Sequence, residues 1–450
     1  MPETITDYVC TACGCLCDDL TLTVEGRRIT RVEPPCPVAA SFFLKERPEP
    51  PAAALIAGQP ATLEAALARA AEILQAAASP LICGLERATV DAQRAAVALA
   101  DKLGATLDPT DDAGRSRNHA AIQTLGAVTA TLGEVAGRSD LIVYWNCDPA
   151  ATHPRHIERI ARHPYTTPGA HPTPRRVVVV AASRNATSKQ ADEALTLRTG
   201  GDLAALAVVR AILAVAPLGD EATIERQTGA PLAQWAYLSQ RLKAAKYTAI
   251  FYDPTQLAAS GRAEGWQPVG NDAASEPAGP SNTDGPDAIV QSITELVREH
   301  HRHSRAVALP LGSPGNAPGA AQVLTWQTGF PSAVNFAAGH PRHLPGEATA
   351  ASMLERGETD AAIIIGSSPS DHLPPAARTT LGKIPIILLT NEASDATQQA
   401  AVTLFTPTFG IETAGNVFRC DNIALPLTAA IRPKLPAAEE LLQRLLNLLN

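Results

Sequence analysis

Four cysteines crowd into eight residues near the start of the chain, Cys10, Cys13, Cys15 and Cys17, and Cys36 follows. Thiolate sulfur is a soft donor. Three thiolates on one tight loop and a fourth from a distant turn can surround a cubane 4Fe-4S cluster. Cys10-x2-Cys13-x3-Cys17 followed by Cys36 has that arrangement. Zinc also accepts four thiolates, but structural zinc prefers two separated pairs, so the spacing favours iron–sulfur over zinc. The run CGCLC offers two candidates for the third ligand; Cys17 is preferred, and Cys15 is then a loop thiol. Unligated apolar cysteines fit poorly with Asp18 and Asp19 immediately after them. In a reducing cytosol such a group reads as a metal site before it reads as disulfides.

Residues 1–50 form a small unit around these cysteines. Within it DDLTLTVEGRRITRVEP reads as two short strands about a Glu25–Gly26 turn, and RPEPPAAA closes the unit as a linker. Beyond the linker the pattern alternates. ATLEAALARAAEILQAAA, TVDAQRAAVALADKLGA and GDLAALAVVRAILAVA are helical, whereas PLICGL, LIVYW, RRVVVVAA, YTAIFY, AVALPL, AAIIIG, IPIILLT and AVTLF are short apolar strands. Continuous apolar strands alternating with helices predict mostly parallel sheets covered on both faces. The stretch 261–286 is polar and rich in Gly, Pro, Ser and Asn, and reads as a flexible insertion.

The 450-residue chain is 45% hydrophobic and only 4% aromatic, enough to bury two or three cores in about two to four domains. A net charge of −8 with scattered basic residues argues against nucleic acid as a partner. No apolar run reaches the roughly 20 residues that span a bilayer. The start, MPETITDYVC, has neither the basic nor the apolar region of a signal peptide, so cytoplasm is the expected location.

Four ordered segments carry a family resemblance: CTACGCLCDDL, SDLIVYWNCDPAATHPRH, WQTGFPSAVNFAAGHPRHLPGEATAASMLERGETDAAIIIGSSP and FGIETAGNVFR. The chain resembles the B subunit family of formylmethanofuran dehydrogenase, within the molybdopterin oxidoreductase superfamily, over nearly its whole length. The resemblance implies an α/β fold with a small N-terminal iron–sulfur domain (1–50). Two doubly wound α/β domains follow, one discontinuous (55–136 and 304–450) and one inserted (137–303), without the C-terminal β-barrel of related enzymes. It also implies a bis-pterin guanine dinucleotide carrying tungsten or molybdenum. Asn146 and Asp148, after the strand LIVYW, and Ser367 and Ser368, after AAIIIG, are then the cofactor-binding candidates at carboxyl ends of strands. Taken singly, each is equally an ordinary strand-to-helix turn with a capping side chain.

Two departures argue against that cofactor here. In the family a Cys or selenocysteine followed by His-Gly-Pro supplies the chalcogen that ligates the metal. Aligned on the downstream TATLGEV, that tetrapeptide corresponds to Asn118-His119-Ala120-Ala121. A neutral carboxamide cannot replace a soft thiolate. His119 is retained, and reads as a hydrogen-bonded histidine sooner than a proton shuttle. The second departure is Gly312-Ser313-Pro314-Gly315-Asn316, where the family tends to carry an Arg-Gly-His segment contacting pyrophosphate or substrate. Its loss removes charge-assisted contacts, although a Gly-rich loop can also nest a phosphate. The tetrapeptide HPRH occurs twice, at 153–156 and 340–343, and reads as pocket-lining or as solvated loop. HHRH at 300–303 ends a helix, where cations suit the dipole.

The resemblance is strongest to the B subunit of the bacterial formyltransferase/hydrolase complex. There the homologous chain is a non-catalytic scaffold beside an amidohydrolase-like A subunit, a formyltransferase subunit and a small C-type subunit. Formyl passes to a methanofuran-type carrier and is hydrolysed to formate. The alternative expectation is an active tungsten or molybdenum oxidoreductase interconverting CO2 and formate.

Overall fold

Short, continuous apolar runs pair in this protein as parallel strands, because helices on both faces leave no wet side that would demand polar alternation. The computed structural model describes residues 2–109, 113–164, 175–260, 286–312, 314–366 and 373–449. Ser367 and Ser368, and the insertion at 261–286 as far as residue 285, lie outside the described residues. The chain splits into two compact units, Met1–Asp112 with Gly312–Asn450, and Ala113–Leu311.

In the first unit an antiparallel sheet of Glu3–Tyr8, Leu20–Glu25 and Arg28–Glu33 carries the cysteine loop between its first two strands. Helix Pro37–Phe43 starts at Cys36 with proline in its first turn, where a missing N–H costs nothing. Phe43 meets Tyr8 edge to face at 5.9 Å. The Tyr8 hydroxyl donates to the carbonyls of Gly410 (3.0 Å) and Thr428 (2.9 Å), tying this sheet to the C-terminal part of the unit.

The larger sheet of this unit has nine strands. Its middle five, Thr106–Asp108, Pro80–Gly84, Ala361–Ile365, Ile386–Thr390 and Val402–Phe405, are parallel. Antiparallel strands finish both edges, Ala54–Ile56 with Gln59–Ala61 on one side and Val334–Asn335 with Arg342–His343 on the other. In chain order the parallel core reads 2-1-3-4-5, so its direction of winding reverses between Pro80–Gly84 and Ala361–Ile365. Ligands of open α/β sheets sit outside the carboxyl ends of strands at such a reversal. Helices Leu63–Ala76 and Val90–Leu103 cover the sheet; each begins at a threonine whose side chain accepts from the third residue on, and the second ends at Gly104 in the left-handed conformation.

The second unit holds one all-parallel sheet in the order Glu193–Thr196, Arg176–Ala181, Leu141–Trp145, Tyr247–Tyr252, Arg305–Pro310. In chain order this is 3-2-1-4-5, with its reversal between Leu141–Trp145 and Tyr247–Tyr252. Trp145 and Trp235 are fully buried, and the Trp145 indole N–H donates to Asp202 at 2.9 Å. The unit is wider than the 137–303 span read from sequence. Arg305–Pro310 pairs in parallel with Tyr247–Tyr252 over six residues, and that pairing draws it into this sheet.

Candidate functional site

The cysteine loop closes on itself through the backbone. The Cys10 N–H donates to the Cys17 carbonyl at 2.8 Å and the Leu16 N–H to the Cys13 carbonyl at 3.3 Å, with Leu16 held at a φ of 38°. Cys10, Cys13, Cys15 and Cys17 are buried, packed with Leu20, Leu22 and Phe43, and Cys36 is half-buried against the same cluster. The loop is clamped where Gly14 meets Gly312: a Cβ on Gly14 would lie 2.5 Å from the Gly312 backbone, so only glycine fits. Gly312 in turn presses on the Cys420 side chain, and the Cys420 N–H donates to the Gly14 carbonyl at 3.1 Å.

Electrostatics separates the thiols. Burial pushes the Cys10 thiol well up, and the charges of Cys13, Cys17 and Cys36 push it further. Cys15 is raised first by its hydrogen bond with Cys13, then by burial and by the charges of Cys13, Cys420 and Cys17. The Cys13 and Cys15 sulfurs lie within 4.8 Å of each other. Burial also pushes the Cys420 thiol up to about 12. Thiols so buried are neutral at physiological pH unless a metal compensates their charge, since a coordinating thiol is deprotonated outright. The donor set is chemically fit for a metal centre. Cys420 was an isolated cysteine in the sequence, and only the fold brings it to the loop.

Asn118 faces inward. It lies on helix Ala113–Leu125, is 5% exposed, and its carboxamide oxygen accepts from the Tyr252 hydroxyl at 3.0 Å. Tyr252 is the last residue of its strand, at the winding reversal of the second unit's sheet, and burial raises its pKa above the usual phenol range. Next to it on the helix, His119 is half-buried.

Asn146 follows Leu141–Trp145 with a φ of 46°, its N–H donating to the Val180 carbonyl at 2.7 Å. Asp148 accepts from the Ala186 N–H (3.1 Å), the Thr187 N–H (2.8 Å) and the Thr187 hydroxyl (2.5 Å). Its carboxylate therefore pins the 185–188 turn to the end of the strand. In the other unit Asn316 is fully buried; its side chain donates to the Ala88 carbonyl (2.9 Å) and accepts from the Phe418 N–H (2.7 Å).

The first HPRH is not a solvated loop. His153, Arg155 and His156 are buried, and His156 Nδ1 lies 3.0 Å from the Tyr144 hydroxyl with its ring edge-on to Phe251. Burial chiefly, and His153 secondarily, take the His156 pKa down to about 3. In the second HPRH His340 and Arg342 are exposed, while His343 is half-buried and stacked on Phe330. His300 of HHRH is buried and its pKa is lowered by desolvation. It donates through Nε2 to the Leu242 carbonyl at 2.9 Å.

Comparison with known proteins follows the same lines. No family model matches the chain. The B subunit of tungsten-containing formylmethanofuran dehydrogenase 2 from Methanocaldococcus jannaschii is 29% identical over 448 residues, covering 96% of this chain and 95% of that protein. The chain is similar to the formylmethanofuran dehydrogenase B subunit over nearly its whole length. It is also 28% identical over 321 residues to the B subunit of the formyltransferase/hydrolase complex Fhc from Methylorubrum extorquens, covering 71% of this chain and 75% of that protein. The crystal structure of that organism's formyltransferase/hydrolase complex with methylofuran superimposes with a TM-score of 0.71 at 26% identity, over 88% of this chain and 98% of the matched one. Acetylene hydratase from Pelobacter acetylenicus shares the fold alone, with a TM-score of 0.64 at 11% identity over 99% of this chain and 69% of that one. Among the described residues no helix is long and apolar enough to cross a membrane.

His156 yields a pH prediction. Its folded pKa lies below the ordinary 6.5, so between pH 6.5 and about 3 the unfolded chain binds a proton that the folded chain refuses. The stability it contributes is present above pH 6.5 and is lost as pH falls through that window. His156→Gln, which keeps a polar partner for Tyr144 but does not titrate, should show a shallower fall of Tm from pH 6.5 to 4 than the wild type; equal slopes would contradict the assignment.

Proposed function

We propose that this chain is a non-catalytic B-type subunit that organises a formyltransferase/hydrolase assembly in one-carbon metabolism. Its partners would be an amidohydrolase-like A subunit, a formyltransferase subunit and a small C-type subunit, and the assembly would use a methanofuran-type carrier in the cytoplasm. The observation that carries this reading is Asn118. Its side-chain oxygen accepts an internal hydrogen bond from Tyr252, so the place where a metal-ligating chalcogen is expected holds a buried amide. Asn316 supports the same reading, because it latches the 312–316 loop to Ala88 and Phe418. These residues do not fit a pterin-bound tungsten or molybdenum.

The cysteine loop, on the reading that residues 1–50 form an iron–sulfur domain, retains its donors. Cys10, Cys13, Cys17 and Cys36 are the ligand set we assign to a 4Fe-4S cluster, which would brace the loop and supply electron relay only where a redox partner exists. Support comes from the electrostatic linkage of Cys10 to Cys13, Cys17 and Cys36; Cys15 is linked to Cys13, Cys420 and Cys17.

Two experiments test these statements. In the assembled complex Asn118→Ser should leave formyl transfer and hydrolysis within about twofold of wild type, because the residue meets no substrate, while lowering Tm through the orphaned Tyr252 hydroxyl. A dye-linked formate oxidation in wild type that Asn118→Ser abolishes would overturn the scaffold reading. For the cluster, Cys17→Ser should remove the broad visible absorption and the iron of anaerobically purified protein, and Cys15→Ser should keep both. Loss in Cys15→Ser with retention in Cys17→Ser would reverse the ligand assignment.

A further inference from the structure

Gln93 lies on the buried face of helix Val90–Leu103, one turn before Ala96 and Val97, and has no solvent exposure. Its Nε2 faces three carbonyls, those of Leu85 (3.0 Å), Asn316 (3.1 Å) and Ala88 (3.3 Å), which share its two hydrogens. Its buried Oε1 has no hydrogen-bond partner among the described residues. An apolar side chain of similar size would avoid that cost, so core packing alone does not account for a glutamine here. All three carbonyls belong to irregular backbone between regular elements. The amide therefore holds turns in place, where helix and sheet ladders cannot.

Asn316 is its companion. It precedes helix Ala317–Thr328, a position where asparagine ordinarily accepts from the helix's first turn. Here the side chain makes no such cap. It donates instead to the Ala88 carbonyl and accepts from the Phe418 N–H, while its own N–H donates to the Glu86 carbonyl at 2.5 Å. The two amides thus fasten together the turn after Pro80–Gly84, the start of Ala317–Thr328 and the strand Gly415–Phe418. The cysteine loop rests on those segments. The Gly315 N–H donates to the Thr11 carbonyl at 3.1 Å, from a φ of 77° at which a Cβ would strike the Glu86 carbonyl. Cys420, two residues beyond Phe418, donates its N–H to Gly14 at 3.1 Å. Thr11 and Gly14 flank Ala12 and Cys13, so the Cys13 stretch is held at both ends by backbone that the two amides locate.

We propose that Asn316 and Gln93 are positioning residues for Cys13, acting through Gly315 and through the strand that leads to Cys420. A buried polar network favours one backbone geometry, and a metal ligand works best when its support is set before the metal arrives. The bearing on a metal rests on the reading that Cys13 ligates a 4Fe-4S cluster; the hold on the loop does not.

The test is maleimide labelling of the native, metal-free full chain, with the rate at each cysteine read by peptide mass spectrometry. Cys83 is the internal control: it is also buried, inside strand Pro80–Gly84 of the same unit, and reports general unfolding. Cys13 should label at least about tenfold faster in Asn316→Ala and in Gln93→Leu than in wild type, with Cys83 changed by less than about twofold. Gln93→Leu removes a partnerless buried oxygen, so its Tm should stay close to wild type while Cys13 opens, a split that lost core packing would not give. Unchanged Cys13 labelling in both variants would overturn the proposal, as would Cys13 and Cys83 rising together. After anaerobic reconstitution with iron and sulfide, both variants should hold less iron per chain than wild type, and equal iron would overturn the bearing on the metal. A wild type that takes up no iron would refute the cluster reading instead, and the labelling rates would still decide the hold on Cys13.

Discussion

The close approach of Gly14, Gly312 and Cys420 fixes most of what this protein can do at its front end. Three segments far apart in sequence meet there with no room for a Cβ at Gly14 or Gly312. The contact holds the cysteine loop shut and buried. A buried loop of thiols has two stable conditions, neutral and uncharged, or ionised around a metal that cancels the charge. Metal and loop geometry are consequently coupled: the glycines set the backbone, the backbone sets the sulfurs, and the sulfurs accept only an ion or cluster able to satisfy them.

At position 118 the physics differs. A residue that presents a ligand atom must leave that atom unsatisfied by the protein. Asn118 does the opposite, since its oxygen accepts from a tyrosine that is itself fully buried, and a buried phenol without a partner would be costly. The pair is a piece of core. Asp148 and Asn316 follow the same pattern, each spending its polar atoms on neighbouring backbone. Asn118, Asp148 and Asn316 each fasten one segment of the chain to another.

Much of the fold was legible because its strands are short apolar runs bounded by turns, such as LIVYW and AAIIIG, each fully buried. Glu3–Tyr8 was not, since ETITDY is largely exposed and shows neither run nor clean alternation. The edge of the second unit escaped as well: Arg305–Pro310 has no local mark saying which sheet it joins, and its partner is more than fifty residues upstream. The cysteine cluster stood out by its spacing, but the approach of Cys420 to it did not. Asn118 stood out only against a family pattern, and its partner Tyr252 is 134 residues away. Likewise the burial of His156 depends on Tyr144 and Phe251, whose positions around the ring arise from strand pairing and not from the motif HPRH.

The central claim is that the chain kept a fold and a cysteine site while position 118 lost its metal-binding role. Metal analysis of the assembled complex, purified without oxygen, tests it most directly. The account predicts about four iron atoms per chain, as one cubane cluster requires, with tungsten and molybdenum absent. Tungsten or molybdenum in stoichiometric amount would contradict it, because a metal held there would need a ligand atom where Asn118 accepts from Tyr252.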